Sequence, residues 1–302
     1  MRILLTGAFN YSQEQLSIIN DLGFEIYFLQ QERDSLPIAS SSIDAVVCNG
    51  LFLYHQLDEF TSLKYIQLTS AGFDRVPLNT IKERGIIINN AHGVYSIPMA
   101  EWALGRIIEQ YKHFRTFNLA QQQKKWNKDR SVKEINGTKS AIIGAGNIGQ
   151  EVAKRLSAFG SVVTGYDVIL GERPYFEKIN HIDNLINCIN EYDIIVLTAP
   201  YTPETHHMIS KEMLMSLREE AILVNIARGG LIDTKALVNV LQTRTDLFAA
   251  LDVFEEEPLA ADSLLWALPN AVVSPHNSFV SNGNNERMFS VIYNNLKQYL
   301  EK

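Results

Sequence analysis

The feature that most restricts the fold is an alternation running almost the length of the chain. Short apolar runs of strand character are separated by segments with helical spacing or a glycine stop. RILLTG, EIYFLQ, AVVCN, KYIQLTS and GIIINN read as strands between residues 2 and 90. From Lys139 onward come SAIIG, SVVTGYD, DIIVLTAP, AILVNI, LFAALDVF and NAVVSPH. A run such as AILVNI lacks polar alternation, so both its faces are expected to be covered, as in parallel sheets. Strand, helix and strand repeated this many times predict an α/β protein with doubly wound parallel sheets. A chain of 302 residues is long enough for two such units, each with its own core.

Between the two alternations lies a helical pattern from Ile97 to about Lys124, with Pro98 at an early position where its missing N–H costs little. Its apolar content, including Trp102, Ile108 and Phe114, exceeds one face of a monomer. It reads as a connector, a dimer face, or both. Further helices are expected near 147–159, 183–189, 234–242 and 284–300. The formal charge of −7 argues against nucleic-acid or acidic-membrane partners. The basic run KKWNKDRSVK reads as a solvated helix end and loop. Cys48 and Cys188 lie far apart, with no metal spacing, which suits a reducing cytoplasm. No apolar run is long enough for a membrane span, and the first residues do not form a signal peptide.

In the second alternation, IIGAGNIG places Gly144, Gly146 and Gly149 directly between a strand and a helix. Alone, this spacing is a weak signal. Between strand and helix it fits a dinucleotide loop: a tight turn, a backbone open to a diphosphate, and close helix packing. Asp167 closes the next strand, where an acid accepts hydrogen bonds from the adenosine ribose. That acid would repel a 2′-phosphate and favours NAD. Arg173, a few residues on, pulls the other way.

Three further strand ends carry polar chemistry. AILVNI is followed by Ala227, Arg228 and two glycines; Arg228 is either an anion clamp or a surface arginine at a turn. ALDVFEEEP brings Glu255, Glu256 and Glu257, and VVSPHNSF brings His276. Separately these read as a solvated acidic loop and a structural histidine. Together they deliver a guanidinium, a carboxylate and an imidazole to the nucleotide edge of one sheet. Hydride transfer to a 2-oxo acid needs those three groups: an anion clamp, a proton donor and a group that orients the donor.

At these residues the chain resembles the D-2-hydroxyacid dehydrogenase family. The likeness covers TSAGFDRVPL, HGVYSIPMAEWALG, GAGNIG, APYTPETHHMI, NIARGGLID, ALDVFEEEP and SPHNSF, in that order. The resemblance implies two Rossmann-like or flavodoxin-like parallel-sheet domains with an interdomain cleft. It implies a discontinuous substrate domain, 1–97 plus 276–302, and an NAD-binding domain over 98–275. By resemblance Arg228, Glu257 and His276 are catalytic, and Arg228 with Ala71 and Gly72 binds the substrate carboxylate. Cofactor contacts fall on Gly144, Gly146, Asn147, Ile148, Gly149, Asp167, Ala199, Pro200, Thr205, Ile226, Ala227, Asp252 and His276. A homodimer through the long helix is implied as well, and no residues remain for the regulatory domain of some phosphoglycerate-linked relatives.

The expected function is cytoplasmic, NAD-dependent reduction of small 2-oxo acids, reversible to the D-2-hydroxy acid. Leu51, Phe52, Tyr54 and Phe279 are expected to line the side-chain pocket. The alternative is an NAD(H)-sensing corepressor-like binding protein of the same fold, against which the absence of extra tails counts.

Overall fold

A computed structural model describes residues 1–301. The chain divides into two compact units: Met1–Tyr95 with the segment from Ser281 onward, and Ser96–Val280. Residues 276–280 thus pack with the second unit, a boundary slightly later than the resemblance implies.

The first unit is a parallel sheet of β1 (Arg2–Thr6), β2 (Glu25–Leu29), β3 (Ala45–Cys48), β4 (Tyr65–Leu68) and β5 (Ile87–Asn89). Its order is β2-β1-β3-β4-β5. The inner strands β3 and β4 are buried along their whole length, whereas β2 and β5 are partly exposed edges. This is why AVVC and YIQL read as continuous runs. Helix α1 (Gln13–Asp21) starts on a capping box, in which Ser12 and Gln15 satisfy each other's backbone amides. Helix α2 (Leu78–Glu83) follows the loop after β4. The C-terminal helix α8 (Asn284–Leu300) places Met288, Ile292 and Leu296 on one stripe, four residues apart, in a core shared with Ile3 and Val47. On the opposite sheet face, Leu4, Val46 and Ile66 pack with Leu51 and Phe60.

The second unit holds β6 (Lys139–Ile143), β7 (Val162–Asp167), β8 (Lys178–His181), β9 (Ile194–Leu197), β10 (Ile222–Asn225), β11 (Phe248–Leu251) and β12 (Ala271–Val273). All pair in parallel, in the order β12-β11-β10-β9-β6-β7-β8. The order reverses direction between β6 and β9, the point at which such sheets bind ligands beyond their carboxyl ends. Sequence reading overlooked β8, an edge strand whose KINH sequence has neither an apolar run nor clean alternation.

The single long helix expected from Ile97 to about Lys124 is instead two, α3 (Ser96–Tyr111) and α4 (Phe114–Gln122). His113 breaks it with a left-handed backbone, φ 52°, and its Nδ1 lies 2.7 Å from Asp129 Oδ2. A hydrogen bond to a residue beyond the helix is invisible to helical periodicity. On α3, Met99, Ala103, Ile107 and Tyr111 form one buried stripe, and this helix packs on α5 (Asn147–Ala158). The helix expected near 183–189 is a 3₁₀ segment, Ile182–Asn187, with only Leu185 buried. Two more helices, α6 (Lys211–Ser216) and α7 (Thr234–Thr243), precede β10 and β11. Among the described residues, no helix is long and apolar enough to cross a membrane.

Candidate active site

At the nucleotide end of the second unit, two glycines leave no room for a side chain. β6 runs directly into Gly144, which has φ +96°; a Cβ there would lie 2.6 Å from the Ala199 backbone nitrogen. A Cβ on Gly149 would lie 2.1 Å from the Gly144 carbonyl oxygen. Both distances are far inside van der Waals contact, and backbone on each side leaves nothing to yield. Gly146, the N-cap of α5, differs: a Cβ there would meet nothing within 4 Å. Open space thus lies at the N-cap of α5, the positive end of a helix, which suits a diphosphate. These residues fit a dinucleotide.

Asp167 ends β7 with both carboxylate oxygens engaged. Oδ2 accepts from the Ala145 amide at 2.8 Å, and Oδ1 from the Ile169 amide at 3.0 Å. Arg173 Nη1 reaches Oδ2 at 3.2 Å and also donates to the Ala145 carbonyl, while Nη2 donates to the Ile169 carbonyl. Burial alone would raise the Asp167 carboxyl, but those amides and the Arg173 charge outweigh it and hold it below the ordinary carboxylate range. Next to the end of β7 lies a cavity of about 440 Å³ lined by apolar Val168, Ile182, Leu185 and Met208 and by polar His181, Asp183, Glu204 and Thr205. Thr205 Oγ1 donates to the Pro200 carbonyl at 2.8 Å, so the loop from Ala199 is braced against itself.

At the chemical end, Asn225 closes β10 and shapes the turn that carries Arg228. Its Nδ2 donates to the Arg228 carbonyl at 2.9 Å, and its Oδ1 accepts from the Ala227 amide at 3.1 Å. Arg228 Nη1 donates to the Ala227 carbonyl at 2.8 Å. Ile226 and Ala227 are buried. Gly229 follows because a Cβ there would sit 1.9 Å from the Phe254 carbonyl carbon. The Arg228 turn rests directly on the backbone that leaves β11.

That backbone carries the acids. Glu257 Oε1 accepts from the Phe254 amide at 3.0 Å, which turns Oε2 toward His276 Nδ1 at 2.8 Å. His276 has a left-handed backbone, φ 49°, and its amide donates to the Asp252 carbonyl at 2.8 Å. Asp252 is fully buried, and its carboxylate accepts from the Asn277 and Ser278 amides, each at 2.8 Å, and from Ser274 Oγ. The resemblance places Asp252 among cofactor contacts. In the structure its carboxylate is committed to the loop holding His276. Phe279 packs edge-on to the His276 ring with centroids 5.8 Å apart.

The second unit therefore brings the glycine loop, Asp167, Ala199, Pro200, Arg228, Glu257 and His276 to the carboxyl ends of one sheet. Ala71 and Gly72 lie in the first unit, in the loop after β4, where the Ser70 hydroxyl donates to the Gly72 carbonyl at 2.9 Å. The expected pocket residues do not behave alike. Leu51 is fully buried in the first unit's core, Phe52 packs edge-on to Phe60, and Tyr54 is exposed. Leu51 followed an apolar run and belongs to the core for the same reason. Sequence reasoning set Arg173 beside Asp167 without foreseeing their direct contact, and it missed the cavity wall, for which no local pattern exists.

Residues 104–278 match the family model described as D-isomer specific 2-hydroxyacid dehydrogenase, NAD binding domain. Hydroxypyruvate reductase from Thermotoga maritima is 36% identical over 265 residues, covering 86% of this chain and 85% of that protein. D-3-phosphoglycerate dehydrogenase from Methanocaldococcus jannaschii is 35% identical over 228 residues, covering 73% of this chain but 42% of that protein. A crystal structure of a D-isomer specific 2-hydroxyacid dehydrogenase family protein from Aeromonas salmonicida is 27% identical. It superposes with a TM-score of 0.84 over 99% of this chain and 96% of that one. The chain belongs to the D-isomer-specific 2-hydroxyacid dehydrogenases, NAD-linked oxidoreductases, and its second unit carries the family's NAD-binding domain.

Proposed function

We propose that this protein reduces small 2-oxo acids to D-2-hydroxy acids, reversibly, with NADH as the preferred cofactor. The observation that carries the reading is the His276–Glu257 contact, Nδ1 to Oε2 at 2.8 Å, at the same sheet edge as Arg228 and the glycine loop. Glu257 fixes the ring and its tautomer, which presents Nε2 to the substrate oxygen. Protonated His276 then donates to the oxygen that becomes the hydroxyl, and in the reverse direction the neutral ring takes that proton back. The bound nicotinamide supplies or accepts the hydride. Arg228 holds the substrate carboxylate through its planar pair of donors. Asp167 selects the ribose, Asn147 and Ile148 receive the diphosphate, and Ala199, Pro200, Thr205, Ile226 and Ala227 border the cofactor.

The named relatives support small 2-oxo acids as the substrate class: hydroxypyruvate reductase from Thermotoga maritima is one of them. A homodimer in the cytoplasm completes the reading. Phe114, Phe117 and Leu119 on α4, and Trp126, are apolar side chains left exposed in a single chain. The net charge of −7 favours neither nucleic acid nor an acidic membrane. The test is NADH oxidation with glyoxylate, hydroxypyruvate, phenylpyruvate and branched 2-oxo acids. Turnover with at least one is expected. A protein that binds NADH tightly but turns over none of them is a sensor, and the enzymatic reading fails.

A further inference from the structure

The acidic segment after β11 holds a second histidine–carboxylate contact. His207 Nε2 lies 2.6 Å from Glu255 Oε1, and Glu255 Oε2 accepts from the Thr234 amide at 2.9 Å. Burial would raise the Glu255 carboxyl, but the Thr234 and His207 contacts outweigh it, so the group lies below its ordinary range and is charged at neutral pH. His207 has a left-handed backbone, φ 52°, which few non-glycine residues adopt without a reason. Its amide donates to the Gly230 carbonyl at 2.8 Å, and the Ile209 amide to the Leu231 carbonyl at 3.0 Å. Gly230 and Leu231 directly follow the Arg228 turn. Gly229 in that turn sits on the Phe254–Glu255 backbone, where even a methyl group has no room.

We propose that His207 and Glu255 are positioning residues that set the Arg228 clamp relative to the Glu257–His276 pair. This inference rests on the catalytic reading of Arg228 and Glu257 given above. Glu255 ties three segments at one point: the loop before α6, the start of α7 just beyond the Arg228 turn, and the strand end that carries Glu257 two residues later. Release of the His207 contact frees the Arg228 turn on its His207 side. The guanidinium then samples positions from which it cannot hold a carboxylate with both donors. The pair's hydrogen bonds do not reach the glycine loop or Asp167, but Met208 beside His207 lines the cavity next to the end of β7. NADH affinity is therefore the control that separates a shifted Arg228 turn from a disturbed cofactor loop.

The test uses His207→Asn, whose side chain tolerates the left-handed backbone but is too short to reach Glu255. Glu255→Gln keeps an acceptor for Thr234 and loses the charge. His207→Gln restores the reach with a neutral donor. For each, kcat/KM with glyoxylate, the Kd of oxamate (a 2-oxo acid analogue) for the NADH complex, and the Kd of NADH are measured. His207→Asn and Glu255→Gln should lose about tenfold or more in kcat/KM and in oxamate affinity, with NADH affinity within about twofold. His207→Gln should recover most of the loss. Asp246→Asn, which breaks the Arg244 contact of the α7–β11 connection, should lower Tm alone. Normal kinetics and oxamate binding in His207→Asn and Glu255→Gln, whatever their Tm, overturn the inference. So does a parallel loss of NADH affinity, or a His207→Gln variant no better than His207→Asn. A wild type inert toward every 2-oxo acid overturns the function as well, whereas an active wild type with indifferent variants overturns the inference alone.

Discussion

Asp167 and Arg173 together should decide which nucleotide the site prefers. The carboxylate is held ionised, so a 2′-phosphate on the adenosine ribose would meet a full negative charge. At about 5 Å and an effective dielectric of about 20, that repulsion is about 3 kcal/mol. Arg173, 3.2 Å from Oδ2 and like Asp167 mostly shielded from water, cancels part of it. NADH should therefore be preferred over NADPH by roughly 10–100-fold rather than absolutely. Arg173→Ala removes the compensating charge and should widen the preference by about tenfold. Asp167→Ser removes the repulsion and leaves the Arg173 guanidinium without its carboxylate partner. The ratio of efficiencies should then fall by about 100-fold and approach or cross unity. In the double variant both charges are gone, and the ratio should settle near one. The assay is kcat/KM for NADH and NADPH at saturating glyoxylate in all four proteins, with cofactor Kd measured by fluorescence. An unchanged ratio in Arg173→Ala, or an Asp167→Ser variant that discriminates as strongly as wild type, refutes the electrostatic account.

Arg228→Lys keeps the charge but loses the paired donors; kcat/KM should drop by about 100-fold or more while NADH affinity stays near wild type, and unimpaired kinetics would return Arg228 to a surface turn. Glu257→Gln removes the carboxylate that lies 2.8 Å from His276 Nδ1 and orients the ring. The value of kcat should fall by about tenfold or more in both directions while NADH affinity stays near wild type, and unchanged kinetics would make Glu257 a bystander. Gly149→Ala places a methyl group 2.1 Å from the Gly144 carbonyl, and the shift of backbone required should weaken NADH binding and lower Tm together. Asp246 is held down at about 2, first by its hydrogen bond from Arg244. A depressed carboxyl stabilises the fold above its unfolded value and loses that contribution as pH falls toward 2. Asp246→Asn should thus lower Tm at neutral pH and flatten its decline between about pH 4 and 2, as read by thermal melts across pH.

What the sequence revealed of the fold followed burial. Inner strands such as AVVC, IIVL and ILVN are covered on both faces and stand out as unbroken apolar runs. β8 escaped because an edge strand needs no such run. The break after α3 escaped because His113 and Asp129 meet only once the chain has folded back. Periodicity carries information about faces, and a single polar contact across sixteen residues leaves no periodic trace.

The site was legible where chemistry and strand ends coincide. Parallel strands put their carboxyl ends on one edge, so Arg228, Glu257 and His276 share that edge by topology alone. Which acid of Glu255, Glu256 and Glu257 faces His276 is not a topological matter. Family resemblance pointed to Glu257, and the geometry supplies a reason: the Phe254 amide takes one oxygen and directs the other to the ring. Glu255 on the same short segment turns to His207 instead, because the Thr234 amide holds its second oxygen. Two carboxylates on one short segment thus acquire different partners because the Phe254 and Thr234 amides each hold one oxygen. Composition treats them as one acidic patch, and only the folded backbone distinguishes them.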